Sequence, residues 1–164
     1  MGEPFPLKFL SVTLRCMRKP CNLACGLILL LPLAKAEKKI ITPEEFQRPG
    51  QDAPMFSPAI LDGGTLYVAG QIGADLKTRK IPDEFEVEVR TCLENIRVIL
   101  KAANMDYADV DSVQVFLTDM SLFPRMNAVY SSLFKAPRPA RATVGVAALA
   151  SPQAHIEIVV IARK

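Results

Sequence analysis

The sequence predicts an α+β domain in which one β-sheet carries both of the chain's helices on a single face. Only two stretches beyond residue 36 repeat apolar residues at helical spacing, whereas six short ones read as strands. Their order is a short strand, a hairpin, a long helix, a strand, a second helix and two final strands, giving two strand–helix–strand units. The strands are rich in Val and Ile on both phases, so the face away from the helices is apolar as well. With no third helix to cover that face, a symmetric oligomer is the natural solution.

Taken in order, Lys38–Thr42 is expected to be a first short strand, followed by an irregular crossing from Pro43 to Pro58 that is rich in Pro, Gly, Gln and Asp. Ala59–Leu61 and Thr65–Gln71 form a hairpin around Asp62-Gly-Gly. Gly70 and Gly73 flank the Gln-Ile pair near its end, and a glycine inside a strand pattern points to close approach by another group. A polar loop, Asp75 to Pro82, leads to Asp83, which opens a helix with Glu84, Glu86 and Glu88 in its early turns, where the macrodipole favours acids. Val89, Cys92, Leu93, Ile96, Ile99, Leu100 and Ala103 then form its apolar face, and Asn104-Met-Asp ends it.

Val110–Thr118 alternates with Val113, Val115 and Leu117 on one phase, a strand. Asp119 and Ser121 are candidate caps for the second helix, Pro124 suits its first turn, and Phe123, Met126, Tyr130, Leu133 and Phe134 make its buried stripe. Asn127 lies on this helix beside Met126 and reads, on pattern alone, as a solvated polar residue. Two strands close the chain, Ala142–Leu149 and His155–Ile161, joined by Ala-Ser-Pro-Gln.

Each of these last strands carries an ionic residue that needs a partner, water or a ligand: Arg141 at the mouth of the first and Glu157 between Ile156 and Ile158 in the second. They fit either a structural ion pair at a sheet edge or a small-molecule site. In the second case a guanidinium fork takes a carboxylate, and an acid handles protons across a shared, ligand-sized gap. His155, two positions from Glu157, is expected on the same face at the rim.

Composition narrows the function. The 164 residues carry a formal net charge of +3, with half of them hydrophobic and 23% charged. Residues 37–164 hold 15 basic and 16 acidic side chains, a net of −1, without a basic patch interleaved with aromatics, so nucleic acid is not an expected partner. Of four cysteines only Cys92 lies beyond residue 36, where it falls on the apolar helical face and reads as core. No Cys/His cluster has metal-ligand spacing, so neither metal nor cofactor is expected.

Residues 1–36 read as a leader. A basic Met17-Arg-Lys-Pro, an apolar run from Leu23 to Leu33 and Ala34-Lys-Ala36 have the three parts of a secretory signal peptide, with cleavage expected after Ala36 and Met17 as the start. The expectation is export to a periplasmic or extracellular space, with no membrane association after cleavage. An uncleaved N-terminal anchor, or an unstructured extension on a cytoplasmic protein, is the alternative.

Beyond pattern, a set of ordered motifs resembles the reactive intermediate deaminase family, the RidA/YjgF/UK114 group. They are Tyr67-Val-Ala-Gly-Gln-Ile-Gly, Leu93-Glu-Asn-Ile, Val115-Phe-Leu-Thr-Asp-Met, Phe123 followed by Met126-Asn-Ala-Val-Tyr130, Pro139-Ala-Arg-Ala-Thr-Val-Gly-Val, and Ile156-Glu-Ile. The resemblance spans Lys39 to Arg163. It implies a chorismate-mutase-like α+β fold with a mixed sheet, and a homotrimer with clefts between subunits. The implied activity is hydrolysis of 2-imino and 2-enamino acids to 2-keto acids and ammonia. By the same resemblance Arg141 holds the substrate carboxylate and Glu157 positions or activates the attacking water. Gly70 and Asn127 line the cleft, and Thr143 stands where members often carry Cys or another small residue. Phe56 replaces a tyrosine of the cleft, and Ala69 stands where many members have serine. Loss of those two hydroxyls keeps a second reading open, a non-catalytic or chaperone-like trimer that binds small carboxylates through Arg141.

Overall fold

A computed structural model of the chain describes residues 37–47, 50 and 55–164, and the leader expected over residues 1–36 lies outside them. Among the described residues no helix is long and apolar enough to cross a membrane. Six strands form one sheet: β1 (Lys39–Ile41), β2 (Ala59–Asp62), β3 (Thr65–Ile72), β4 (Val110–Leu117), β5 (Ala140–Gly145) and β6 (Ile156–Arg163). Two helices, α1 (Phe85–Ala102) and α2 (Phe123–Leu133), cover one face of it. The order across the sheet is β1-β2-β3-β6-β4-β5, with β4 and β5 parallel and every other pair antiparallel. The α+β expectation holds.

Local chemistry accounts for most boundaries. Gly63 and Gly64, with φ of 56° and 81°, supply the two positive dihedrals that a two-residue hairpin turn between β2 and β3 demands. Helix α1 begins at Phe85 with Glu84 in the cap position, two residues later than the Asp83 start expected from sequence. Its end is a Schellman arrangement: Asn104 turns left-handed at φ 58°, its N–H donates to Lys101 O, and Met105 N–H donates to Leu100 O at 2.8 Å. Before α2, the Asp119 carboxylate accepts from Ser121 N–H and Oγ–H, opening a 3-10 turn over Met120–Leu122, and Pro124 fills the first helical turn.

Strand β5 departs from expectation. It starts at Ala140 and stops at Gly145, so the apolar run from Val146 to Leu149 is not strand. Its one neighbour among the described residues, β4, ends at Leu117, and the chain then folds over so that Met120 packs on Gly145. One further bond follows, from Val146 N–H to Leu117 O at 2.8 Å, and past it β5 has no partner strand among the described residues, so its ladder ends.

The pleat decides what each strand buries. Ile156, Ile158, Val160 and Ala162 of β6 point into the core with Leu66 and Val68 of β3 and Val113, Val115 and Leu117 of β4. Against them α1 lays Val89, Cys92, Leu93, Ile96, Ile99 and Leu100, and α2 lays Met126, Val129 and Tyr130. Side chains of this kind each contribute about 1.5–3 kcal/mol of burial. Cys92 belongs to this core, as its place on the helix predicts. Burial pushes its thiol far above the ordinary range, and its Sγ–H donates to Gln71 O at 3.0 Å.

Glu88 lies in the first turn of α1, as expected, and is fully buried there. Its Oε1 accepts from His155 N–H at 2.7 Å, with Ile156 N at 3.4 Å, and its Oε2 lies 2.8 Å from His155 Nδ1. This carboxylate therefore ties α1 to the first residue of β6, and donors on three sides offset the cost of burying it. The fit extends to Gly73, where any Cβ would overlap the backbone carbonyl and Cγ of Glu88. Gly73→Ala is expected to cost about 2–3 kcal/mol, because the obstruction includes backbone that cannot swing aside. The urea midpoint of the variant measures this, and a midpoint equal to the wild type's would show that the contact relaxes freely.

Candidate active site

Two clefts hold the residues singled out in the sequence, and they lie on opposite faces of the sheet. In register, Arg141 of β5 stands beside Val113, whose side chain is in the core, so Arg141 points to the helix side. Glu157 of β6 stands beside Phe116 and Ile72, between the inward-pointing Ile156 and Ile158, so it emerges on the other face. The shared gap expected of this pair does not form within one chain. Strands β5 and β6 are consecutive in sequence, but β4 lies between them. The ion-pair reading fails as well, because among the described residues neither group has a salt-bridge partner.

The first cleft, about 630 Å³, runs between α2 and the start of β5, where Asn127, Tyr130, Ser131, Arg138 and Arg141 line it. The Arg141 guanidinium lies 4.6 Å from the centroid of Tyr130 and 5.7 Å from that of Phe123. These ring faces attract the cation without neutralising it and leave its N–H fork free for an anion. Thr143 follows two residues on, at the same phase of β5. Its Oγ1 and the Tyr130 hydroxyl are buried without a hydrogen-bond partner, which costs about 1–3 kcal/mol apiece unless something fills the need. Burial pushes the Tyr130 phenol up, against the pull of the neighbouring Arg141 and Arg138.

The second cleft, about 920 Å³, contains Glu157 together with Phe46, Phe56, Ala69, Gly70 and Arg79. A one-residue bulge between Val68 and Gln71 shapes its floor. The Gln71 side chain donates to Ala69 O at 2.9 Å, and Ala69 N–H donates to Pro58 O at 2.9 Å. The bulge brings Gly70 directly under Glu157, and a Cβ at Gly70 would overlap the carboxylate Oε1. Around it, Ile72, Phe116 and Val144 form a row across the open face with Glu157 as the sole charge. His155 does not share that face, because β6 begins only at Ile156 and the His155 ring turns back to Glu88.

Comparison with known proteins identifies the family. The family model described as Endoribonuclease L-PSP matches residues 47–164. A RutC family protein of Sulfurisphaera tokodaii is 46% identical over 110 residues, covering 66% of this chain and 87% of the relative. A 2-iminobutanoate/2-iminopropanoate deaminase of Rattus norvegicus is 39% identical over 108 residues, covering 65% of this chain and 78% of the relative. The crystal structure of E. coli TdcF with bound serine superposes with a TM-score of 0.69 at 32% identity, covering 77% of this chain and 98% of TdcF. The chain belongs to the reactive intermediate deaminase family, the RidA/YjgF/UK114 group.

For a member of this family, the two departures noted in the sequence now have a location. Phe56 and Ala69 both line the Glu157 cleft, and neither brings a hydroxyl to it. Of the predicted site residues, the fold gathers Arg141 and Asn127 at the first cleft, with Thr143 beside them. It gathers Phe56, Ala69, Gly70 and Glu157 at the second. Sequence reading passed over Arg79, which pattern alone assigns to a polar loop, and the buried hydroxyl of Tyr130, which pattern assigns to a core stripe. The Gly70 contact yields a test. Gly70→Ala should leave stability within about 1 kcal/mol, since the obstacle is the tip of a movable side chain. It should also displace the Glu157 carboxylate, visible as a changed rotamer in a crystal structure of the variant. An unmoved carboxylate would disprove the close approach.

Proposed function

We propose that the chain is a deaminase that hydrolyses 2-imino and 2-enamino acids to 2-keto acids and ammonia, acting as a homotrimer whose sites combine the two clefts of neighbouring subunits. One observation carries the reading: a free guanidinium and a free carboxylate stand on opposite faces of a single sheet, and the carboxylate's face is apolar and open. Ile40, Ile60, Tyr67 and Ile161 form a second row across that face, with Ile40 63% and Tyr67 50% exposed. Such a surface is suited to a second copy of the chain. Packing there would bring the neighbour's Arg141 toward Glu157.

The chemistry asks little of the protein beyond placement. The substrate's imine carbon is electrophilic, more so with its nitrogen protonated. Arg141 holds the carboxylate through paired N–H donors, a geometry that lysine does not reproduce. Glu157 takes one proton from water as the new C–O bond forms and the C=N π electrons move to nitrogen, and passes that proton to the nitrogen. It then takes the remaining hydroxyl proton as the carbonyl forms, the C–N bond breaks and ammonia leaves. Orientation and acid–base help of this kind contribute about a hundredfold or more each. The deaminase named among the relatives, and the serine bound in TdcF, support a small amino-acid-derived substrate.

The missing hydroxyls at Phe56 and Ala69 favour a second reading, a trimer that binds small carboxylates without turning them over. The composition of the leader supports export of the domain, which cell fractionation would test.

Imine generated from an amino acid by an oxidase should decay faster with the protein present. Arg141→Ala should return decay to background. Glu157→Gln should lower turnover about a hundredfold or more while 2-keto acid binding persists, since the amide no longer repels an anion. Wild-type decay equal to background, with keto acid still bound, would establish the binding protein instead.

A further inference from the structure

We infer that Arg79 is a specificity-determining residue of the Glu157 cleft, selecting substrates that carry a second, side-chain carboxylate. The inference rests on the deaminase reading for its reaction, though not for its binding measurement.

Arg79 is the one cation among the described residues that line this cleft. It has no salt-bridge partner among the described residues, although Asp75 lies four positions away. The Asp75 carboxylate is committed elsewhere. Its Oδ1 accepts from Thr78 N–H at 2.7 Å, from Thr78 Oγ–H at 3.0 Å and from Lys77 N–H at 3.0 Å. Those bonds, led by the Thr78 N–H, hold Asp75 below the usual carboxylate range. The guanidinium thus remains available at the cleft, where Glu157 has no salt-bridge partner among the described residues either.

The loop that presents Arg79 is well anchored. Arg79 N–H donates to Asp75 O at 2.8 Å and Asp75 N–H donates to Lys80 O at 2.9 Å, closing the turn at both ends. At its root, the buried Asn95 side chain donates to Ile72 O at 3.1 Å and Ala74 O at 2.8 Å, fixing the segment to α1. Within the turn Arg79 adopts φ of 63°, a left-handed conformation that costs a non-glycine residue about 1–2 kcal/mol. A glycine would avoid that cost. The chain carries an arginine there instead, on a fixed loop at the edge of a ligand-sized cleft.

Charge balance indicates what the arginine does. A substrate with one carboxylate is already served by Arg141. A dianionic substrate meets repulsion from Glu157 unless a second cation stands nearby, and Arg79 is placed to supply it. Phe46 and Phe56 form apolar wall for the methylenes between the two acid groups. The class selected is the imines of acidic amino acids, whose hydrolysis yields 2-keto dicarboxylates.

The test uses the full-length protein, with Arg79→Gly removing the guanidinium while suiting the backbone and Arg79→Lys keeping the charge. Binding of 2-oxoglutarate and of 2-oxobutyrate is measured by calorimetry, and turnover is followed on imines made from glutamate and from 2-aminobutyrate. Arg79→Gly is expected to weaken 2-oxoglutarate binding and lower kcat/KM on the glutamate imine by about tenfold or more, as loss of a charge-assisted pair does. The monocarboxylates should change less than about twofold, and Arg79→Lys should recover part of the loss. Equal effects on both acids, no effect on either, or no preference by the wild type would overturn the inference. A wild type that binds 2-oxoglutarate through Arg79 yet hydrolyses no imine would refute the deaminase reading alone.

Discussion

The pleat of β6 is the constraint from which the rest of the structure follows. Four alternate residues, Ile156, Ile158, Val160 and Ala162, are driven into the core beneath α1, and a strand cannot bury one phase without turning the other outward. Glu157 is therefore held on the open face by hydrophobic burial on either side of it. A one-residue slip of register would bury this carboxylate and expose four apolar side chains. The same burial that stabilises the domain thus fixes the orientation of its proposed acid.

Two further devices refine that placement. The bulge at Ala69–Gly70 lets the β3 backbone come up against the carboxylate. From below, Glu88 grips the start of β6 by its backbone N–H groups, so the strand enters the sheet at a fixed level. Glu88 and Glu157 are both acids near β6, yet one is saturated with donors and the other has none among the described residues. That contrast separates the two acids: the satisfied carboxylate holds the fold, and the unsatisfied one faces a cleft, which makes it the candidate for function.

Arg141 obeys the complementary logic on the far side of the sheet. It is stabilised by aromatic faces in place of an anion, so its charge is retained for use. A single chain thus carries one cleft on each face, and an apolar open surface lies around the cleft of Glu157. On the proposed reading, assembly and catalysis become the same requirement, because the two groups would meet only between neighbouring subunits.

The sequence by itself determined most of the elements and offered the candidate residues for chemistry. Helix α1, strands β3 and β4, the Gly-Gly hairpin and the candidates Arg141, Glu157 and Gly70 were legible because periodicity, turn dihedrals and motif order are local properties. Tertiary structure decided which of these meet. The insertion of β4 between β5 and β6, the burial of Glu88, the halt of β5 at Gly145 and the arrival of Arg79 at the cleft of Glu157 each depend on contacts between residues far apart in the chain. Spacing in sequence carries no record of such contacts. A residue's phase along its own strand can be read from its neighbours, but its companions across the sheet are chosen by the packing of the whole domain.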